Sequence, residues 1–280
     1  WRRDRRKGNC GMRLFFSGLR KLVRRPATWV TVGLLIGLLA LIIIAVGATA
    51  NGRTVRANAT DAKLLVTFPG AYDRILQFIT GLGGLFAVIY GAAIAGSEWS
   101  WGTLKSAVAR GESRVRYMMI SYVTVAVMIA FGILITFAVG VVAAIIGAHL
   151  ANVSTSGLGD SATLSDLPER LVKGWFAVVE EGALGFTIAT LARSQLAGIG
   201  AGIAFYFGEG FASLFLPDIV KYLPFSVANA SLVTGTSSAG VFAGGTSALP
   251  ADQAQVLVIV WLIGVLIVAA LFSDRAEIAG

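Results

Sequence analysis

At 280 residues, 56% hydrophobic and 14% charged, with a mean hydropathy of +0.78, the chain carries more apolar surface than a water-soluble domain can bury, and the excess is gathered into uncharged blocks. The net charge of +8 could suit nucleic acid, but ten of the 23 Lys and Arg precede residue 26, directly ahead of the first apolar block, where anionic lipid is the natural counter-charge. One cysteine, Cys10, excludes an intramolecular disulfide, and one histidine, His149, leaves no Cys/His set for zinc.

Residues 1–11, beginning at Trp1, are expected to be a disordered or upstream extension without function. Residues 12–25 read as a basic amphipathic helix lying in the headgroup region, with Met12, Phe15, Phe16, Leu19, Leu22 and Val23 on one stripe and Arg13, Arg20, Lys21 and Arg24 opposite. Pro26 marks a break, and residues 26–280 then form the membrane domain. Because a span needs about 20 apolar residues, six are predicted, at 28–49, 75–96, 117–147, 172–192, 196–216 and 254–273. The first is too long and uniform for a cleaved signal, and the third exceeds the hydrocarbon thickness, so it should tilt or project. With both termini in the cytoplasm, sixteen Lys and Arg fall inside and seven outside, as the positive-inside bias requires. Small-xxx-small spacing at Gly33/Gly37 and at Gly198/Gly202 offers faces for close helix approach.

Between the second and third spans lies an amphipathic island, Ser97 to Gly111, too short and too polar to cross. As a helix it gathers Trp101, Leu104, Ala107 and Val108 on one side and Lys105, Ser106 and Arg110 on the other, with Gly111 as a left-handed stop. Held at the water boundary, such a rod is placed to be pushed by a soluble partner. Before the last span, Pro217 and Pro224 bracket a piece too short to cross, which should dip into the outer leaflet and return, and a Gly/Ser/Thr-rich stretch follows it to about residue 248. Three carboxylates fall within predicted spans: Glu180 and Glu181 in the fourth and Glu209 in the fifth. At that depth a carboxylate costs about 2.5–3.5 kcal/mol on insertion scales, so each should face protein or a water-filled cavity. Adjacent helical residues point about 100° apart, so Glu180 and Glu181 cannot look the same way. They read either as a polar lining for a substrate or cation path or as structural hydrogen-bonding groups. No phosphate-binding loop, H-E-x-x-H or Ser/His/Asp set is present, so the chain is not expected to be an enzyme, or to bind a metal or cofactor itself.

These features together resemble the membrane subunit of an ATP-binding-cassette exporter of the type 2 permease family, over residues 12–273. The likeness rests on the basic helix running through Leu22-Val23-Arg24-Arg25-Pro26-Ala27-Thr28-Trp29, on Glu98 followed by Gly102-Thr103-Leu104 with Ser113-Arg114 ahead of the third span, and on Leu216-Pro217 to Tyr222-Leu223-Pro224-Phe225. The resemblance implies an all-α, six-span half-transporter in the cell membrane, paired with a second permease subunit in a homodimer or heterodimer. A separate ATPase subunit would carry ATP and Mg. The island would be its coupling helix, with Glu98, Trp101, Gly102, Thr103, Leu104 and Lys105 at the motor contact. Pro217, Tyr222, Pro224 and Phe225 would form an outer gate, and no nucleic acid partner is implied. The short outside loops depart from family branches that carry a large extracellular domain. Two other classes compete: an ion-coupled secondary transporter using the intramembrane carboxylates, which should show inverted repeats, and a membrane scaffold without transport.

Overall fold

The computed structural model describes residues 14–50, 63, 65–232 and 249–275, and among these there is no strand. Helix α1 covers residues 14–23, and α2 (Pro26–Thr49) starts after a short turn, with Pro26 at a first-turn position where its missing N–H costs nothing. α3 (Gly70–Ser100), α4 (Thr103–Ala109), α5 (Arg114–Leu150), α6 (Ser161–Ala192) and α7 (Gln195–Ala212) follow, then the short α8 (Pro217–Val220) and α9 (Pro224–Ala230), and last α10 (Ala251–Arg275). The expected extension at 1–11, the first two residues of the basic helix and most of the Gly/Ser/Thr-rich stretch lie outside the described residues.

Five helices, α2, α3, α5, α6 and α10, are long and apolar enough to cross a membrane. The chain is therefore a helical multi-pass membrane protein. The fifth of the six expected spans corresponds to α7, which stops at 18 residues and is not among those five. α6 begins at Ser161 rather than near 172 because Asp160 caps it: its carboxylate accepts from the Thr163 hydroxyl (2.5 Å) and the Thr163 N–H (3.1 Å). Those two bonds hold the Asp160 carboxyl below the ordinary carboxylate range.

α3 and α6 form the axis of the bundle. Protein buries 67% and 72% of their most apolar stretches, against 17% for α2 and 22% for α10, whose outer faces are left to lipid. The axis closes through glycine. A Cβ on Gly91 would strike the Gly182 carbonyl, and one on Gly185 would strike the backbone of Val88, so the two helices meet backbone to backbone. Of the two small-residue faces expected from sequence, Gly198 and Gly202 do lie tight against Ala189 and Val88, whereas Gly33 and Gly37 face open space.

Contacts at the helix ends give the direction of each rod. Lys21 and Tyr117 meet Glu98, and Arg193 lies over the rings of Trp99 and Phe272, each at 5.4 Å. α1, α4, the α6–α7 turn and the end of α10 therefore share one end of the bundle. At the opposite end, Arg170 of α6 is paired with Asp73 of α3, and the Tyr72 hydroxyl donates to the Leu158 carbonyl (2.9 Å).

Candidate functional site

The amphipathic island does not form one helix. α3 continues through Ser100, the chain turns at Trp101 and Gly102, and α4 starts at Thr103. Gly102 sits at φ 66, the left-handed region where a side chain is disfavoured, and Gly111 at φ 88 makes the predicted stop. Leu104 and Ala107 are buried and Lys105, Ser106 and Arg110 exposed, as amphipathicity predicts. Trp101 is a correction: the break at Gly102 takes it off the apolar face, leaving it 66% exposed, with the Arg25 guanidinium 4.8 Å from its ring.

Glu98 is also placed differently from expectation. It lies in the last turn of α3, facing inward, and is 2% exposed. Its carboxylate is the meeting point of four segments. Lys21 of α1 donates to Oε1 at 2.6 Å, and Arg25, ahead of α2, lies 3.9 Å from the same oxygen. Oε2 accepts from the hydroxyls of Thr103, the first residue of α4, and of Tyr117 in the first turn of α5, the latter at 2.7 Å. Arg25 reaches the neighbouring Ser97 hydroxyl at 2.9 Å. One carboxylate thus fastens α1, α3, α4 and α5 at a single point. α1 is turned to suit: Leu22 is buried and Lys21 faces Glu98, while Phe16 and Val23, expected on the same stripe as Leu22, stay exposed. Sequence reasoning had placed Lys21 on the outward polar face and passed over Arg25 and Tyr117. A basic residue one turn ahead of the arginine that precedes Pro26, with a lone acid at the far end of the second span, was the available signal.

The three intramembrane acids separate into two kinds. Glu209, 4% exposed on α7, accepts from the N–H groups of Ser226 (2.5 Å) and Phe225 (3.3 Å) and so satisfies two free donors at the start of α9. Glu180 and Glu181, both at 0% exposure, have no hydrogen-bond partner on any of their four carboxylate oxygens among the described residues. The structural hydrogen bond considered for all three is thus found at Glu209 alone.

The expected hairpin before the last span is present as α8 and α9. Pro224 and Phe225 are buried, the Phe225 ring sits 4.9 Å from Tyr206, and the Tyr206 hydroxyl donates to the Gly81 carbonyl of α3 at 3.0 Å. Tyr222 is half exposed and Pro217 partly buried, and the Trp261 indole of α10 donates to the Tyr222 carbonyl at 2.9 Å. Removing the acceptor with Glu209→Ala leaves the Phe225 and Ser226 N–H groups unanswered, a loss of about 1–3 kcal/mol. The expected result is faster protease cleavage between residues 217 and 232, read by mass spectrometry, with cleavage elsewhere unchanged.

Among the described residues, no three His, Cys, Asp or Glu side chains converge closely enough to hold a metal ion. With the bundle, the Glu98 junction and the intramembrane acids in view, comparison with known families adds a match. The family described as "Protein of unknown function (DUF2705)" matches residues 65–275, and the chain belongs to that family. No curated protein matches the chain.

Proposed function

We propose that the chain is the six-span permease subunit of an ATP-binding-cassette exporter, driven by a separate ATPase subunit that carries ATP and Mg. The observation that carries this reading is the Glu98 junction. α4 is a short rod fastened to the ends of α3 and α5 and to the surface helix α1 through one buried carboxylate, so a push on α4 cannot be absorbed by a loose loop. It must move the spans. The exposed face of α4, with Lys105, and the adjoining Trp101 are what a motor would touch, whereas Glu98 and Thr103 act behind the contact, transmitting force rather than receiving it. α7 serves as the sixth span: at about 1.5 Å per residue, its 18 residues cover about 27 Å, close to the hydrocarbon thickness. Having α1, α4 and the end of α10 at one end agrees with both termini in the cytoplasm, the orientation the Lys/Arg bias favours. A second permease subunit completes the pathway, with α8 and α9 capping its outer mouth.

The test is site-directed cross-linking in native membranes. Cysteines at Trp101 and Lys105 should cross-link to a nucleotide-hydrolysing chain, and a cysteine at the buried Leu104 should not. Failure of both exposed positions while the protein remains folded removes the motor reading. An ion-coupled carrier is the second reading, favoured by the carboxyl groups of Glu180 and Glu181, which are buried without a hydrogen-bond partner among the described residues.

A further inference from the structure

We propose that the cavity between α2, α3 and α5 holds one acyl chain of an anionic phospholipid, taken from the leaflet on the α1 side, with its headgroup on the basic turn that joins α1 to α2. The inference goes beyond the transport reading and does not depend on it.

The cavity offers about 480 Å³ of space, its open mouth included. It runs beside residues 28–35 of α2 and residues 79–90 of α3, lengths of about 10 and 16 Å along the helices. A slot of that shape lies parallel to the lipid chains outside it. Ile129 and Ile133 of α5 and Val178 of α6 line it and are buried, so it reaches in as far as α6 instead of being a dent in the surface. Thr31, Val32, Phe86, Met128 and Gly132 on its wall are only partly buried, which leaves it open to the surroundings.

The chemistry of the wall selects an aliphatic occupant. Its hydroxyls are spent within the protein: Thr28 donates to the Leu22 carbonyl (2.8 Å) and meets the Tyr90 hydroxyl at 3.2 Å, and Thr31 donates to the Ala27 carbonyl (2.7 Å). The rest of the lining is apolar and uncharged. A polar or ionic ligand would give up its hydration there without a partner, and a cavity lined this way excludes water. Within a bilayer the material at hand to fill it is hydrocarbon, and an unfilled cavity forfeits the contacts of its lining.

Charge selects the headgroup. The Thr28 hydroxyl ties the polar end of the cavity to Leu22 of α1, directly under the turn that carries Arg24 and Arg25. Between residues 14 and 28 stand Arg20, Lys21, Arg24 and Arg25 and no acid. Lys21 and Arg25 are directed to Glu98, whereas Arg20 and Arg24, one turn apart, are exposed. Two exposed guanidinium groups at the polar end of an apolar slot complement a phosphate on an aliphatic chain. The Trp29 indole, 57% exposed and donating to the Val23 carbonyl at 2.7 Å, sets an interfacial aromatic at the same level.

The experiment places the intact chain in lipid nanodiscs containing phosphatidylglycerol or phosphatidylcholine of the same chains, each with a mid-chain diazirine, and maps the photolabelled residues by mass spectrometry. Phosphatidylglycerol should label Val32, Phe86 and Met128 about fivefold or more above phosphatidylcholine, the worth of one Lys or Arg contact. The exposed Val260 and Ile263 of α10 should take both lipids equally. Arg20→Gln/Arg24→Gln should remove the preference. Gly132→Leu, where the new Cβ meets the Val32 side chain at an ordinary 3.6 Å, should fill the slot and lower labelling of Phe86 and Met128 about tenfold, with the melting temperature retained. Equal labelling by the two lipids, no labelling of the three cavity residues, a preference that survives the double arginine variant, or undiminished labelling in folded Gly132→Leu overturns the proposal. Should Gly132→Leu not fold, the comparison of the two lipids on wild type decides alone.

Discussion

Glu98→Ala is expected to lower the unfolding free energy by about 3 kcal/mol and, under the proposed motor reading, to abolish substrate-dependent stimulation of ATP hydrolysis in a complex reconstituted with the ATPase. The cost does not come chiefly from the ion pair with Lys21, which is one-third exposed and screened by solvent. It comes from what remains when the acceptor goes: the Tyr117 and Thr103 hydroxyls and the Arg25 guanidinium, already held by a buried carboxylate, lose their partner together. Glu98→Gln keeps an acceptor but loses the charge, so about half of that loss is expected. Adding Lys21→Met to Glu98→Ala should restore part of the stability, because an apolar pair can replace a broken ionic one, but not the ATPase response. Thermal melting in detergent reads the first quantity and stimulated hydrolysis the second. Melting that falls while stimulation persists would confine Glu98 to a structural role.

Gly91→Leu is expected to give a severe loss of folded protein, as is a bulky residue at Gly185 on the other side of the same seam. The Cβ alone would meet the Gly182 carbonyl of α6, and backbone cannot move aside as a flexible side chain can. Even Gly91→Ala should cost about 1–3 kcal/mol, and the leucine should prevent α3 and α6 from seating at all. The control is Gly37→Leu, at a glycine of the same helical kind with open space in front of it, where a change within about 0.5 kcal/mol is expected. Monodisperse yield on size exclusion and the melting temperature distinguish the two.

The same glycines mark where sequence could be read and where it could not. Hydropathy alone located the five helices long and apolar enough to cross, and the shorter α7, within a few residues, apart from the start of α6, because an apolar run is a local requirement that each segment meets by itself. Gly33 and Gly37 have textually the same spacing signal as Gly198 and Gly202, yet only the second pair is filled by a neighbour. Which glycines matter depends on contacts between helices far apart in the chain, as with Gly91 and Gly182, and no local pattern records them. Glu98 shows the same limit. Its presence between two spans was legible, but its partners lie 77 residues earlier and 19 later, so an acid that looked like an outward contact is an inward one. With Glu180 and Glu181, depth was readable and loneliness was not, since the lack of a donor is a property of every helix around them.

The four-way junction at Glu98 imposes an order on biogenesis. Lys21 leaves the ribosome long before the acid that will hold it, so α1 must exist for a time without that partner, with Phe16 and Val23 exposed and suited to lie against lipid. Tyr117 is the last contributor to arrive, and the latch can shut only when the third hydrophobic segment enters the bilayer. A nascent chain truncated between those two events should therefore carry a surface helix that is bound to lipid but still free to swing.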